Sequence, residues 1–233
     1  MSAQLSVVDL GRRPYVEVLE LQRTLCRERM AGDRQRDLLL LVEHEPTITL
    51  GRGTREASLP VSRDELVRRG FTVAEVERGG DVTYHGPGQL VGYPILDLRE
   101  HREDLHWYLR QLEAALIAAL DTLGVRAERS PGLTGVWTGG RKIASLGIHV
   151  KQWVTFHGFA LNVSPNLEAF DAIVPCGIHG VVMTSLSLEL GRHDAAWLWT
   201  ETREAVIKKF GETFGYDRVE EEAGLPDLSL HPG

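Results

Sequence analysis

The sequence has little cysteine. Its 233 residues include only Cys26 and Cys176, and no Cys-x-x-Cys pair occurs. A chain of this length with two cysteines needs no disulfide framework, and it carries no zinc or redox motif of the paired-cysteine type. Lysine is also scarce, with four residues among 26 basic ones. Lys142, which follows Gly139-Gly140-Arg141, therefore stands out.

Long apolar runs and basic segments are absent as well. No apolar run approaches the roughly 20 residues that a membrane-spanning helix needs, and the first ten residues lack the basic start of a secretory signal peptide. We therefore expect a cytoplasmic protein that does not enter a membrane. The net charge of -7 resides in residues 154–233, which argues against a nucleic-acid partner, because such proteins present a basic surface.

Helical and strand patterns are interleaved without a regular repeat. Apolar spacing predicts helices over 15–30, 105–123 and about 195–214, and it places Cys26 on an apolar helix face. Short apolar runs predict strands over 37–42, 47–50, 71–76, 90–98, 135–137, 142–150 and 155–163. We predict a single α+β domain over residues 1–219, with a mixed β-sheet flanked by helices. Residues 220–233 are acidic and are predicted to form a C-terminal tail.

A glycine-rich segment spans residues 78–89. Glycines let backbone N–H groups approach a ligand closely, as in a phosphate cradle or a carbonyl clamp. The sequence of this segment matches neither a Walker loop nor the Gly-x-Gly-x-x-Gly motif, so it does not support nucleotide binding. A series of tight turns is the alternative, but it explains the interleaved Arg78, Thr83, His85 and Gln89 less well.

Cys176 stands between Pro175 and Gly177, at a turn that can present its sulfur. A nucleophilic thiol must be ionised, which needs a nearby cation or base because a free thiol has a pKa of about 8.5. Lys142 is one candidate, since an ammonium beside a thiol stabilises the thiolate and the amine form accepts a proton. A structural thiol and a surface lysine at a hairpin end are the alternatives.

Histidines near Cys176 permit two other hypotheses. His149, His157 and His179 are alternative bases for the thiol, and together with Cys176 they could bind a metal. Only one close pair, Cys-x-x-His, is present, and no His-Glu-x-x-His motif occurs, so we predict no metal site.

Taken together, the blocks of motifs resemble the octanoyl-[acyl-carrier-protein]:protein octanoyltransferases of lipoate biosynthesis. The similarity covers nearly the whole predicted domain and rests on Arg78-Gly79-Gly80-x-x-Thr83-x-His85-Gly86-Pro87-Gly88-Gln89-Leu90-Val91, Gly140-Arg141-Lys142-Ile143-Ala144-x-x-Gly147, His157-Gly158-x-Ala160-x-Asn162 and Pro175-Cys176-Gly177-Ile178. The resemblance implies a fold similar to the catalytic domain of biotin and lipoate protein ligases.

The resemblance also implies roles for individual residues. Cys176 matches the nucleophile of the family, and Lys142 matches the residue that lowers its pKa and later acts as general acid and base. The implied acyl-binding residues are Arg78, Gly79, Gly80, Asp81, Val82, Thr83, Tyr84, His85, Ser145, Leu146, Gly147, Gly158, Phe159 and Ala160. Backbone N–H groups near Gly177 or in the glycine-rich segment are expected to stabilise the oxyanion.

The implied reaction moves an octanoyl group from octanoyl-acyl carrier protein, through a Cys176 thioester, to a lysine of a lipoyl domain. The implied acceptors are the lipoyl domains of 2-oxo-acid dehydrogenase complexes and the glycine cleavage H protein, and no cofactor is expected. Three alternatives remain: an ATP-dependent lipoate-protein ligase, a non-catalytic acyl- or lipoyl-binding module, and a Cys/His hydrolase that releases free fatty acid.

Overall fold

A seven-stranded mixed sheet is the largest element of the computed structural model, which describes residues 3–177 and 180–224 and, for Cys176, the backbone alone. The strands are β1 (Gln4–Arg13), β2 (Asp37–His44), β3 (Thr47–Leu50), β4 (Thr72–Glu75), β5 (Val82–His85), β6 (Gln89–Ile95), β7 (Val136–Thr138), β8 (Arg141–Lys151), β9 (Val154–Asn162) and β10 (Arg218–Glu222). The α-helices are α1 (Tyr15–Ala31), α2 (Arg63–Arg68), α3 (Leu105–Thr122), α4 (Leu186–Leu190) and α5 (Ala195–Phe214). Among these helices none has the length and hydropathy to cross a membrane.

The helix ends follow from local chemistry. Asp104 precedes α3 and its carboxylate accepts hydrogen bonds from the N–H groups of His106 and Trp107, which satisfies donors that the first helical turn leaves unpaired. Asp194 does the same for α5. The helices α1 and α5 end where Gly32 and Gly215 adopt left-handed backbone angles, a conformation that glycine adopts without strain.

The strands form two sheets. The large sheet has the order β10-β1-β2-β6-β9-β8-β7, and the small sheet has the order β4-β3-β5. In the large sheet β1 is parallel to both β10 and β2, whereas the remaining neighbours are antiparallel. The small sheet combines a parallel pair with an antiparallel pair. The predicted mixed sheet is therefore present.

Each face of the large sheet has its own apolar core. Tyr108 and Leu112 of α3 and Phe210 of α5 pack in one cluster, and Leu25 of α1 packs with Leu40 of β2 in another. A third cluster lies under the small sheet. Burial of a leucine or phenylalanine side chain contributes about 1.5–3 kcal/mol, so the helices are held mainly by these apolar faces.

Most predicted elements agree with the structure to within a few residues, and Cys26 is buried in the α1 core as expected. The glycine-rich segment contains a strand, β5, that was not predicted. The predicted tail boundary is also wrong, because residues 220–222 are part of β10 and pair with β1. The rest of the predicted tail, from residue 225, lies outside the described residues.

Candidate functional site

A cavity of about 210 Å³ lies where the two sheets meet. Its walls come from β5, β8, β9 and the loop over residues 132–134, and it is also lined by Tyr15 of α1 and Tyr93 of β6. The predicted site residues that line it are Arg78, Gly80, Asp81, Val82, Thr83, His85, Lys142, Ser145, Leu146, Gly147, Gly158, Phe159 and Ala160. Three segments that are far apart in the chain thus contribute to one cavity.

Gly79 and Tyr84 are the two predicted acyl-binding residues that are not among these lining residues. The Tyr84 ring packs edge-on against Phe71 and Phe170 in the core of the small sheet. Gly79 is held by its backbone, because its N–H donates to the Ile148 carbonyl at 2.8 Å. Both residues therefore belong to the glycine-rich segment without lining the cavity themselves.

Arg78 fixes the conformation of the glycine-rich segment. Its buried guanidinium donates to the carbonyls of Gly79 and Asp81 at 3.1 and 2.7 Å, and to the carbonyl and hydroxyl of Thr49 at 2.8 and 2.7 Å. Charge-assisted hydrogen bonds of this kind are stronger than neutral ones. Arg78 thus ties the segment to β3, a structural role that the sequence does not indicate.

Lys142 is buried at the start of β8, with 2% of its surface exposed. Its N–H donates to the Val182 carbonyl at 2.8 Å, and its carbonyl accepts from the Thr184 N–H at 2.9 Å. Its Nζ lies 5.4 Å from the ring centroid of Trp137, within the range of a cation–π interaction. The lysine is thus an internal group and not a surface residue of a hairpin.

The turn over Pro175–Gly177 lies close to Asp81 at Gly177. The Asp81 carboxylate accepts from the Ser58 hydroxyl at 2.7 Å and from the Val82 N–H at 2.7 Å. A Cβ atom placed on Gly177 would lie 2.1 Å from Asp81 Oδ2, and Gly177 has a φ of +65°. Both the lack of space and the left-handed backbone conformation therefore favour glycine at this position. The Val174 N–H donates to the Ser58 carbonyl at 2.9 Å.

Two expected oxyanion donors are already engaged. The Gly177 N–H donates to the Val174 carbonyl at 2.9 Å, and the Gly79 N–H donates to Ile148. These two N–H groups are therefore engaged within the protein, and the expectation that backbone N–H groups near Gly177 or in the glycine-rich segment stabilise the oxyanion stays a prediction. The side chain of Cys176 lies outside the described structure, as do residues Ile178 and His179.

Aromatic and histidine rings cluster at Tyr15 and Tyr93. His44 Nδ1 lies 3.0 Å from the Arg13 carbonyl and must donate to it, so His44 Nε2 accepts from the Tyr93 hydroxyl at 2.8 Å. The His85 ring stacks on Tyr15 with centroids 5.5 Å apart.

Burial determines the charge state of these rings. It lowers the pKa of His44 to about 4, and it lowers the pKa of His85 well below its usual range. Burial also raises the pKa of Tyr15 to about 12. At neutral pH these tyrosine and histidine rings are therefore uncharged.

His157 has unusual surroundings. It lies in β9 with a φ of +57°, which is rare for a residue with a side chain, and neither ring nitrogen has a hydrogen-bond partner among the residues that the structure describes. Its Nε2 is 3.8 Å from Glu77. Burial lowers the pKa of His157, and the neighbouring His157 and Arg23 hold the pKa of Glu77 well below its usual range.

Sequence reasoning missed Tyr15, Ser58 and Tyr93, because each enters the site only through tertiary packing. Among the described residues, no three His, Cys, Asp or Glu side chains are grouped to hold an ion. Two of the four candidate ligands, the Cys176 side chain and His179, lie outside those residues, so the absence of a metal site stays a prediction.

Comparison with known proteins places the chain in a family. Residues 14–211 match the model of the lipoyl protein ligase A/B catalytic domain. An octanoyltransferase of Gloeobacter violaceus is 54% identical over 174 residues, covering 74% of this chain and 75% of that protein. An octanoyltransferase of a Nostoc species is 45% identical over 214 residues, covering 90% of this chain and 92% of that protein.

The fold also has solved counterparts. A bipartite lipoate protein ligase of Thermoplasma acidophilum, from a study of that ligase and its E2 lipoyl domain, superposes with a TM-score of 0.70. The match covers 98% of this chain and 88% of that chain at 17% identity. The predicted likeness to the catalytic fold of lipoate ligases is confirmed.

Proposed function

Because the chain belongs to the octanoyltransferases of the lipoyl protein ligase A/B catalytic domain family, we propose that it is an acyltransferase that acts through Cys176. In this proposal it moves an octanoyl group from octanoyl-acyl carrier protein to a lysine of a lipoyl domain. The observation that carries the proposal is the cavity that has the buried Lys142 in its wall.

Backbone contacts support a short distance between Cys176 and Lys142. Gly177, the neighbour of Cys176, contacts Asp81, and Asp81 lines the same cavity as Lys142. The segment over 182–184, which follows the cysteine turn, is hydrogen-bonded to both backbone groups of Lys142. Two separate links thus support the proposal that the turn and the lysine belong to one site.

The first step is an exchange of thioesters. The Cys176 thiolate attacks the carbonyl carbon of octanoyl-acyl carrier protein, a new C–S bond forms, and the C–S bond to the carrier breaks. The carrier leaves as a thiolate and takes its proton from the Lys142 ammonium, which becomes an amine that can accept a proton in the next step. Lys142, as an ammonium, stabilises the Cys176 thiolate before the attack.

In the second step an amine replaces the sulfur. The lysine amine of the lipoyl domain attacks the octanoyl carbonyl, its C–N bond forms, and the C–S bond to Cys176 breaks. The proton that the amine loses passes through Lys142 to the departing sulfur. An amide is more stable than a thioester, so the transfer needs neither ATP nor another cofactor.

The cavity supports binding of an eight-carbon chain. Its predicted acyl-binding walls are the glycine-rich segment over 78–85 and the segments over 145–147 and 158–160. Small residues there leave space, and each methylene that the cavity buries contributes about 0.8 kcal/mol. The neutral tyrosine and histidine rings add no charge that would oppose an apolar chain.

The proposed partners follow from the family. We assign octanoyl-acyl carrier protein as donor, and the lipoyl domains of 2-oxo-acid dehydrogenase complexes and the glycine cleavage H protein as acceptors, in the cytoplasm. The study of the Thermoplasma acidophilum ligase together with its E2 lipoyl domain supports an acceptor of this type.

Intact-protein mass spectrometry tests the proposal. After incubation with octanoyl-acyl carrier protein, we expect the wild-type enzyme to gain the mass of one octanoyl group, which hydroxylamine removes. The Cys176→Ala variant should gain nothing, whereas Cys26→Ala, which alters the buried cysteine of α1, should still be acylated.

Other outcomes favour the alternatives. Octanoylation of a lipoyl domain that requires ATP and survives Cys176→Ala would identify a ligase and contradict the proposal. Release of free octanoate with no acceptor modified would identify a hydrolase.

A further inference from the structure

The loop over residues 129–135, here called the wall loop, precedes β7 in the chain. Its middle residues Gly132, Leu133 and Thr134 line the cavity. The loop is closed at its base, because the Glu128 N–H donates to the Trp137 carbonyl at 2.7 Å and the Trp137 N–H donates back at 2.9 Å. The conformation of the wall loop therefore affects both the cavity and the strand that carries Trp137.

Glu113 of α3 binds both ends of the wall loop. Its side chain is 1% exposed, although it is an acid in an otherwise apolar stripe of the helix. Its carboxylate accepts from the Gly135 N–H at 3.1 Å and from Arg129 Nε at 3.0 Å. A third hydrogen bond, at 2.5 Å, comes from Arg110.

A buried carboxylate is costly. Removing an ion from water costs several kcal/mol, which ion pairs only partly recover, so an apolar residue in its place would often be as stable. Stability alone is thus a weak explanation for Glu113. A better explanation is that Glu113 holds the groups that donate hydrogen bonds to it in a specific geometry.

Gly135 links Glu113 to Lys142, because its backbone lies close to the end of the lysine side chain. A Cβ atom on Gly135 would lie 2.6 Å from Cε and 3.2 Å from Nζ of Lys142, and 2.7 Å from the Ala144 carbonyl. The backbone of Gly135 therefore forms a wall against which the end of the lysine side chain rests. Glu113 holds that backbone in place through the Gly135 N–H.

We propose that Glu113 is a positioning residue, which acts through Gly135 to hold the amine of Lys142 at the place where it ionises the nucleophilic thiol. The inference rests on the proposed function, in which Cys176 is that thiol. Glu113 does not touch the substrate. Glu113 affects only the position of Lys142 Nζ, and this effect is lost when the Gly135 backbone moves.

The test measures the rate at which iodoacetamide labels Cys176 as a function of pH, with the labelled peptide identified by mass. The variants are Glu113→Gln, which keeps the shape of the side chain, and Gly135→Ala, which leaves Glu113 intact. Lys142→Ala provides the pH midpoint of labelling that is expected when the lysine amine is absent. Gly124→Ala is the matched control, because Gly124 also has a positive φ but has open space around its Cβ position.

We expect both Glu113→Gln and Gly135→Ala to raise the pH midpoint of labelling by about one pH unit towards that of Lys142→Ala. Below the midpoint this corresponds to about tenfold slower labelling. Gly124→Ala should leave the midpoint unchanged even where it lowers the melting temperature. A purely structural role for Glu113 would lower the melting temperature without moving the midpoint.

An unchanged midpoint in either folded variant would overturn the inference. Should Glu113→Gln fail to fold, an unchanged midpoint in Gly135→Ala still overturns the inference, because that variant disturbs the contact between Gly135 and Lys142 through which Glu113 is proposed to act. Failure of the proposed function is a separate result: in that case the wild-type enzyme forms no octanoyl adduct. An adduct in wild type together with unmoved midpoints would reject only the role of Glu113.

Discussion

Ala160 offers a quantitative test of the acyl cavity. It lies in β9 opposite Ser145, is 3% exposed and lines the cavity. Replacement by valine adds two methyl groups, which take up the space of about two methylenes of a bound chain. We therefore expect the variant to accept a chain shorter by two carbons.

The magnitude follows from burial. Octanoyl and hexanoyl chains differ by two methylenes, whose burial contributes about 1.6 kcal/mol, or about 15-fold in kcat/KM. Wild-type enzyme should therefore prefer octanoyl- to hexanoyl-acyl carrier protein by about 15-fold, and Ala160→Val should bring this ratio to about one. The assay compares initial rates of transfer to a lipoyl domain with each donor.

The control for this comparison is Ala74→Val. Ala74 is a partly buried strand residue of β4 that is not among the residues lining the cavity. This variant should keep the wild-type preference. A folded Ala160→Val enzyme whose preference for octanoyl is also unchanged would refute the placement of the acyl chain beside β9.

Three further predictions concern the nucleophile and the fold. Lys142→Ala should slow labelling of Cys176 by iodoacetamide at neutral pH, because the thiol loses the neighbouring ammonium; equal labelling rates would remove Lys142 from that role. Glu77 has a folded-state pKa below that of the unfolded chain, so its ionised form stabilises the fold above about pH 4.3, and this contribution is lost as the pH falls through the folded value. Glu77→Gln should accordingly lower the free energy of unfolding at pH 7 and have less effect in acid, as denaturant titrations at several pH values can measure; a deficit that is equal at all pH values would contradict this. Leu40→Ala, at a fully buried position of β2, should cost about 2–5 kcal/mol of stability, with an unchanged turnover per folded molecule.

The fold was predictable where one segment carries its own signal. The helix α3 combines apolar spacing with an aspartate cap, and its predicted and observed limits differ by one residue at one end. The strand β5 was missed because glycines surround it, and its pairing with β3 depends on residues more than 30 positions earlier in the chain. The strand β10 was missed because its acidic residues are typical of a tail, and only its pairing with β1 makes it a strand.

The site was predictable to the extent that its residues occur in motifs. The motif residues Lys142 and Gly147 both line the cavity, as does Ala160 from the next strand. Glu113 lies outside those motifs, yet it had one local signal, since it occupies a position in the apolar stripe that also contains Leu112 and Leu116. An acid at such a position points to a buried partner, but the identity of that partner requires the tertiary structure.

The second half-reaction tests the central claim most directly. Octanoyl-enzyme that has been freed of its donor is mixed with an unmodified lipoyl domain in buffer without ATP, and both proteins are weighed over time. We predict that the octanoyl mass leaves the Cys176 peptide and appears on a lysine of the lipoyl domain at the same rate. An adduct that stays on the enzyme, or that moves only when ATP is added, would contradict the account.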